Sequence, residues 1–100
     1  MRWVTVGHIE AFPPGTVRAV EVEGRVVVIC NVAGEFFAVR NSCPHKGGPL
    51  GEGWLRWAIL ICPWHRFRYD LRRGCSVTDE TLKIRIYPVQ VEGSVLKIQM

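Results

Sequence analysis

Two short segments, "NSCPHKGG" at 41–48 and "ICPWHRFRYD" at 61–70, each set a cysteine, a proline and a histidine within four positions of one another. Sixteen residues, 46 to 61, separate His45 from Cys62. The chain must fold so that these segments can meet, because a thiolate and an imidazole make only half of a four-donor metal site. Sulfur is a soft ligand and imidazole a borderline one, so zinc and iron are the candidate metals. A structural Cys₂His₂ zinc site pairs cysteine with cysteine across about two to four residues, and histidine with histidine across about three to five. Here Cys43 sits beside His45 and Cys62 beside His65. That mixed pairing suits two metal ions side by side, each loop spanning both. A single zinc stabilising a binding module is the alternative. Pro44, Pro49 and Pro63 stiffen the loops, while Gly47, Gly48 and Gly51 let backbone come close to a bound group.

The residues around these segments read as strands. "RWVTVG" alternates, and "IEAFPPG" is a turn or one helical turn ended by Pro13 and Pro14. "TVRAVEV" and "RVVVICNV" flank Glu23-Gly24, a hairpin signal, and a turn at Ala33-Gly34 leads into "EFFAVRN". "KIRIYPVQV" and "SVLKIQM" flank Glu92-Gly93 as a third hairpin. No stretch keeps a helical period for three turns, and β-branched residues dominate, so the fold class is antiparallel all-β. One hundred residues, 48% apolar and 22% charged, fit a single domain over 1–100. The metal loops fall at strand ends, where a sheet can aim side chains.

Together "CPHKGGPLGEG" and "CPWHRFRYDLRRG" closely resemble the Rieske family, whose pattern is Cys-x-His in one loop and Cys-x-x-His in the other. The similarity runs from "WVTVGHIEAFPPG" to "YPVQVEGSVLKI", the extent of a small stand-alone Rieske ferredoxin. The resemblance implies a three-sheet antiparallel β fold with two cluster-binding loops at one tip. It implies one [2Fe–2S] cluster per chain, with Cys43 and Cys62 on the buried iron and His45 and His65 on the outer one. Related proteins of quinol-oxidising complexes carry a disulfide at positions matching Gly48 and Trp64, so that bridge is absent here. They also place a serine and a tyrosine beside the cluster; Phe67 replaces the first and Tyr69 keeps the second. With one hydroxyl lost, the expected potential lies in the lower half of the Rieske range, about −150 to 0 mV. Arg66 stands where the family usually has glycine.

Around the ligands, Lys46, Leu50, Pro63, Trp64 and Tyr69 are the candidate supporting and docking residues: Trp64 and Leu50 to shield, Tyr69 to donate, Lys46 to add charge. Trp3, Trp54 and Trp57 read as packing residues, Cys30 as a small buried hydrophobe, and Cys75 as partly exposed after a turn. Nothing marks the four cysteines as a disulfide framework. An oxygenase also needs a mononuclear iron held by two histidines and a carboxylate, and only His8 remains after the loops take His45 and His65. The expected protein is therefore not catalytic alone. By resemblance it is a one-electron carrier between a flavin-containing reductase and a terminal oxygenase, with the small subunit of a nitrite-reductase-type enzyme as the other Rieske reading. The net charge of +4 is spread over single basic residues, which argues against nucleic acid; a solvated surface is the plain reading, and the positive rim of the two loops implies acidic protein partners. The absence of a long apolar run or a signal-peptide core points to a soluble, cytoplasmic protein without membrane contact, and a monomer is the default.

Overall fold

Glu23 and Gly24 have φ of 53° and 79°, the paired left-handed conformation of a type I′ turn, whose twist matches the strands it joins. The computed structural model, which describes residues 1–100, accordingly pairs β2 (Val17–Val22) with β3 (Arg25–Val32) across that turn. Ala33-Gly34 turns β3 into β4 (Glu35–Arg40), and Val32 pairs with Glu35 on either side of it. β3 thus lies in the interior of its sheet, with strands on both edges.

β3 is also covered on both faces. Val28, Cys30 and Val32 point into one apolar cluster, Val27 and Ile29 into the other, and all five are at most 4% exposed. The unbroken apolar run "VVIC" over 27–30 follows from this, since alternation disappears when both faces are buried. The first face packs on a sheet of β5 (Trp54–Arg56), β6 (Ile59–Ile61), β7 (Arg68–Asp70) and β8 (Cys75–Ser76). Beneath the second lies a sheet in the order β1 (Trp3–His8), β11 (Val95–Gln99), β10 (Val89–Glu92). The central sheet runs β2-β3-β4-β9, with β9 at Ile86–Tyr87. The fold is all-β, in three antiparallel sheets, as expected. Short 3₁₀ turns at Ile9–Ala11 and Leu50–Glu52 are its only helical pieces.

Several local expectations are corrected. "KIRIYPVQV" is not one strand: Tyr87 pairs with Ala38 in the central sheet, while Val89 pairs with Ile98 in another. Pro88 stands between them, where a residue without an N–H lets the chain leave one ladder and join the next. The last hairpin turns on Gly93-Ser94 rather than Glu92-Gly93, because Glu92 is already paired with Val95. Trp3, Trp54 and Trp57 are 42%, 43% and 71% exposed, so they are not core residues. β1 and β5 are edge strands, and Trp57 occupies a tight β5–β6 turn at φ 54°. Cys75 is buried rather than partly exposed, because a bridge to Lys83 folds the following segment over it.

Leu60 is fully buried in the cluster that also contains Cys43 and Cys62. Leu60→Ala is expected to lower unfolding stability by about 2–5 kcal/mol. Trp57→Ala, on an exposed turn, is expected to change it by no more than about 0.5 kcal/mol. Denaturant titration of the two variants checks the contrast.

Candidate metal centre

The first loop leaves β4 and closes on itself: the Cys43 N–H donates to the Gly48 carbonyl at 2.8 Å, and the Gly47 N–H to the Cys43 carbonyl at 2.6 Å. Asn41 ties the far end down, its Oδ1 accepting the Gly51 N–H at 2.7 Å. The second loop joins β6 to β7, and its base is latched by the Cys62 N–H on the Phe67 carbonyl at 2.8 Å. His65 and Arg66 follow one another in the left-handed region, with φ of 60° and 56°. Arg66 thus holds a backbone conformation that glycine adopts without cost and arginine does not.

These loops bring the four sequence candidates together. The donor atoms of Cys43, His45 and Cys62 lie within 4.8 Å of one another. His65 joins through its neighbour, its Nδ1 lying 3.3 Å from His45 Nε2, with the rings edge to face. The set is polarised. Cys43 and Cys62 are at most 1% exposed and belong to the core, whereas His45 is half-buried and His65 exposed.

The supporting residues occupy different places. Tyr69, in the middle of β7 and fully buried, donates its hydroxyl to the Cys43 sulfur at 2.8 Å. Leu50 is a buried floor residue in the same apolar cluster as both cysteines. Trp64 is half exposed and lies over Gly48, where a Cβ would come within 3.0 Å of the indole and 3.1 Å of the Cys62 sulfur. No side chain fits at Gly48 without displacing one of the two. Pro63 is partly covered, and Lys46 is exposed on the rim beside Arg66 and Arg68. Phe67 carries a role the sequence reading did not assign: its ring stacks on His45 at 3.9 Å, 11° from parallel. The signal was its position two residues before Tyr69, which places both side chains on one side of the strand approach.

The site's electrostatics favour the neutral forms of its donors. Burial pushes the Cys62 thiol up to about 11, opposed by the Trp64 backbone N–H and reinforced by Cys43. Tyr69 is held well above the ordinary phenol range, first by burial and then by its bond to Cys43, so it stays a donor. His45 is lowered by desolvation, then by the nearby His65 and Lys46, which keeps the lone pair free at neutral pH. A metal entering here must displace protons from the thiols. Two soft sulfurs inside and two imidazoles outside, with Gly48 clearing space at a sulfur, are a donor set that a [2Fe–2S] group of the Cys₂His₂ type fits.

Residues 2–88 match the Rieske [2Fe-2S] domain. The chain belongs to that family. It is 31% identical over 100 residues to the ferredoxin component of the naphthalene 1,2-dioxygenase system of Pseudomonas aeruginosa, covering 99% of this chain and 96% of that one. It is also 31% identical to the ferredoxin component of biphenyl 2,3-dioxygenase from Rhodococcus jostii, over 80% of this chain and 76% of the relative. The solved ferredoxin of carbazole 1,9a-dioxygenase from Nocardioides aromaticivorans superposes with a TM-score of 0.87 at 27% identity, covering 98% and 97% of the two chains. All three of these relatives are named as ferredoxins or ferredoxin components of dioxygenases, and two of them match this chain nearly end to end.

With a [2Fe–2S] group held at Cys43, the Tyr69 hydroxyl 2.8 Å from its sulfur would stabilise added negative charge there. Tyr69→Phe removes one hydrogen bond worth about 0.5–1.5 kcal/mol. For a one-electron couple this corresponds to a fall of roughly 20–65 mV in reduction potential. Protein-film voltammetry of the loaded variant beside the parent checks both sign and size.

Proposed function

We propose that this chain is a Rieske ferredoxin that takes single electrons from a flavin-containing reductase and delivers them to a terminal oxygenase. Cys43 and Cys62 hold the inner iron of one [2Fe–2S] cluster per chain, and His45 and His65 the outer one. The observation that carries the reading is the polarity of the donor set, thiols in the core and imidazoles at the surface of one tip. When bound, the cluster supplies a one-electron couple at a potential within the Rieske range of roughly −150 to +300 mV. The chain's own residues do the rest. Leu50 and Trp64 keep water from the sulfurs, Phe67 fixes the plane of His45, and Tyr69 donates to Cys43. Pro63 and Trp64, beside the exposed His65, form the face a partner meets.

Residues 1–100 act as one domain with no catalysis of their own, since His45 and His65 are committed to the cluster and the remaining histidine, His8 at the end of β1, meets the Ser94 hydroxyl. No disulfide joins any of the four cysteines, which suits a reducing, cytoplasmic setting, and no helix is long and apolar enough to cross a membrane. The relatives named as ferredoxin components of dioxygenase systems support the carrier role and the partner classes.

Anaerobically prepared protein is expected to be coloured, to carry iron and acid-labile sulfide in equal amounts, and to give an EPR signal on reduction. His65→Cys should keep a cluster but lower its potential, because a thiolate adds negative charge to the outer metal. A colourless protein with one divalent ion and no sulfide rejects the assignment.

Lys46, Arg66 and Arg68 are exposed around the tip, and none is in an ion pair. The docking partners are therefore acidic, and electron transfer to them is expected to slow about tenfold or more as salt rises from low ionic strength to ~0.15 M. Stopped-flow rates across a salt series check this; rates independent of salt count against an acidic docking surface.

A further inference from the structure

Beyond the tip, the central sheet ends in a cavity of about 530 Å³ whose walls include Arg25, Arg40, Arg85, Asn41, Ser42 and Tyr87. The strand register explains why three arginines meet there. Ala38 faces Tyr87 and Val39 faces Ile86 across β4 and β9, and the Arg40 N–H donates to the Arg85 carbonyl at 2.9 Å. Arg40 and Arg85 therefore stand opposite each other. Val27 is the partner of Arg40 on the other side, and Arg25 lies two residues from Val27 along β3. By the two-residue period of a strand, all three side chains leave the same face of the sheet.

Like charges placed directly across strands destabilise a sheet. Elsewhere the chain answers such charges: Arg2, Arg72 and Arg73 each reach a glutamate. Arg25, Arg40 and Arg85 reach none, and no carboxylate lines the cavity. Arg85 lies 5.6 Å from the centre of the Tyr87 ring, and Tyr87 itself is buried. The Asn41 amide oxygen is already engaged by Gly51, so this wall is fixed. The result is a cationic recess with one side built on a rigid floor.

We propose that this cavity is a binding site for the phosphate groups of a small phosphorylated molecule. Its volume is that of a small-ligand site rather than of a flat protein contact. Guanidinium forks bind phosphate oxygens in pairs, and three of them match a multiply charged phosphate better than a single carboxylate. The site shares the Asn41–Ser42 wall with the first loop but uses none of the cysteines or histidines of the tip.

Calorimetric titration of the cluster-loaded protein with sodium pyrophosphate at low ionic strength tests the proposal. The expected result is saturable binding to one site, weakened at least tenfold by Arg40→Gln with Arg85→Gln and unchanged by Arg56→Gln on β5. Unchanged visible absorbance and melting temperature establish that the double variant is folded. Independently of any variant, pyrophosphate should protect Arg40 and Arg85 of the parent protein from phenylglyoxal while leaving Arg56 reactive, as read by mass spectrometry. Absence of saturation, equal weakening by Arg56→Gln, equal protection of all arginines, or citrate binding as tightly as pyrophosphate would each overturn it.

Discussion

Cys43 and Cys62, two of the four proposed ligands, are first of all core residues. Both pack in the cluster formed by one face of β3 and the sheet β5-β6-β7-β8, against Val28, Leu50, Leu60 and Tyr69. Everything at the tip depends on that burial. It removes water from the sulfurs, raises the Cys62 thiol, and leaves Tyr69 as the side-chain hydroxyl in contact with Cys43. It also couples the site to the fold, since binding at two residues of one apolar cluster stabilises the packing of two sheets together. The histidines, one turn farther out, escape the core and face solvent or a partner.

The loops that set this polarity are held by short-range bonds and by strain. Each cysteine N–H is tied to a carbonyl of its own loop, so neither can swing away. His65 and Arg66 both occupy left-handed backbone, which costs about 1–2 kcal/mol per non-glycine residue. Such conformations persist where surrounding contacts over-determine them, and they gather at functional sites. Here the contacts are the Cys62–Phe67 latch on one side and the Phe67 stack on His45 on the other. An arginine at position 66 therefore adds an exposed charge in a backbone conformation that glycine would adopt without strain.

Much of this was legible from the residues. The Glu23-Gly24 and Ala33-Gly34 turns, the all-β class and the convergence of the two Cys/His segments follow from turn chemistry and ligand spacing, which are local. What was not legible depends on long-range pairing. "VVIC" states that β3 is buried on both sides but not which sheets cover it. Pro88 marks an interruption, yet only the pairing of Tyr87 with Ala38 and of Val89 with Ile98 shows that the strand changes sheets there. The three tryptophans look like core by hydrophobicity, but edge position and a turn put them outside. At the site, the donors could be named from spacing, whereas the Phe67–His45 stack needed the register of the second loop.

The charge pattern has its own logic. The chain has 13 basic and 9 acidic residues, and four ion pairs use one of each, leaving nine basic and five acidic side chains outside pairs. Exposed pairs of this kind add little stability, so their main effect is to neutralise the stretches where they lie. Six of the nine remaining cations fall in two places: Lys46, Arg66 and Arg68 around the tip, and Arg25, Arg40 and Arg85 in the cavity. Of the remaining acids, Asp70 is turned onto the Arg72 and Arg73 backbone N–H groups, and Asp79 onto Thr81. A net charge of +4 spread evenly would only keep the protein dispersed. Concentrated at these two places, it gives the surface two separate positive regions, one on the exposed loops that carry the histidines and the other in a recess lined by three arginines.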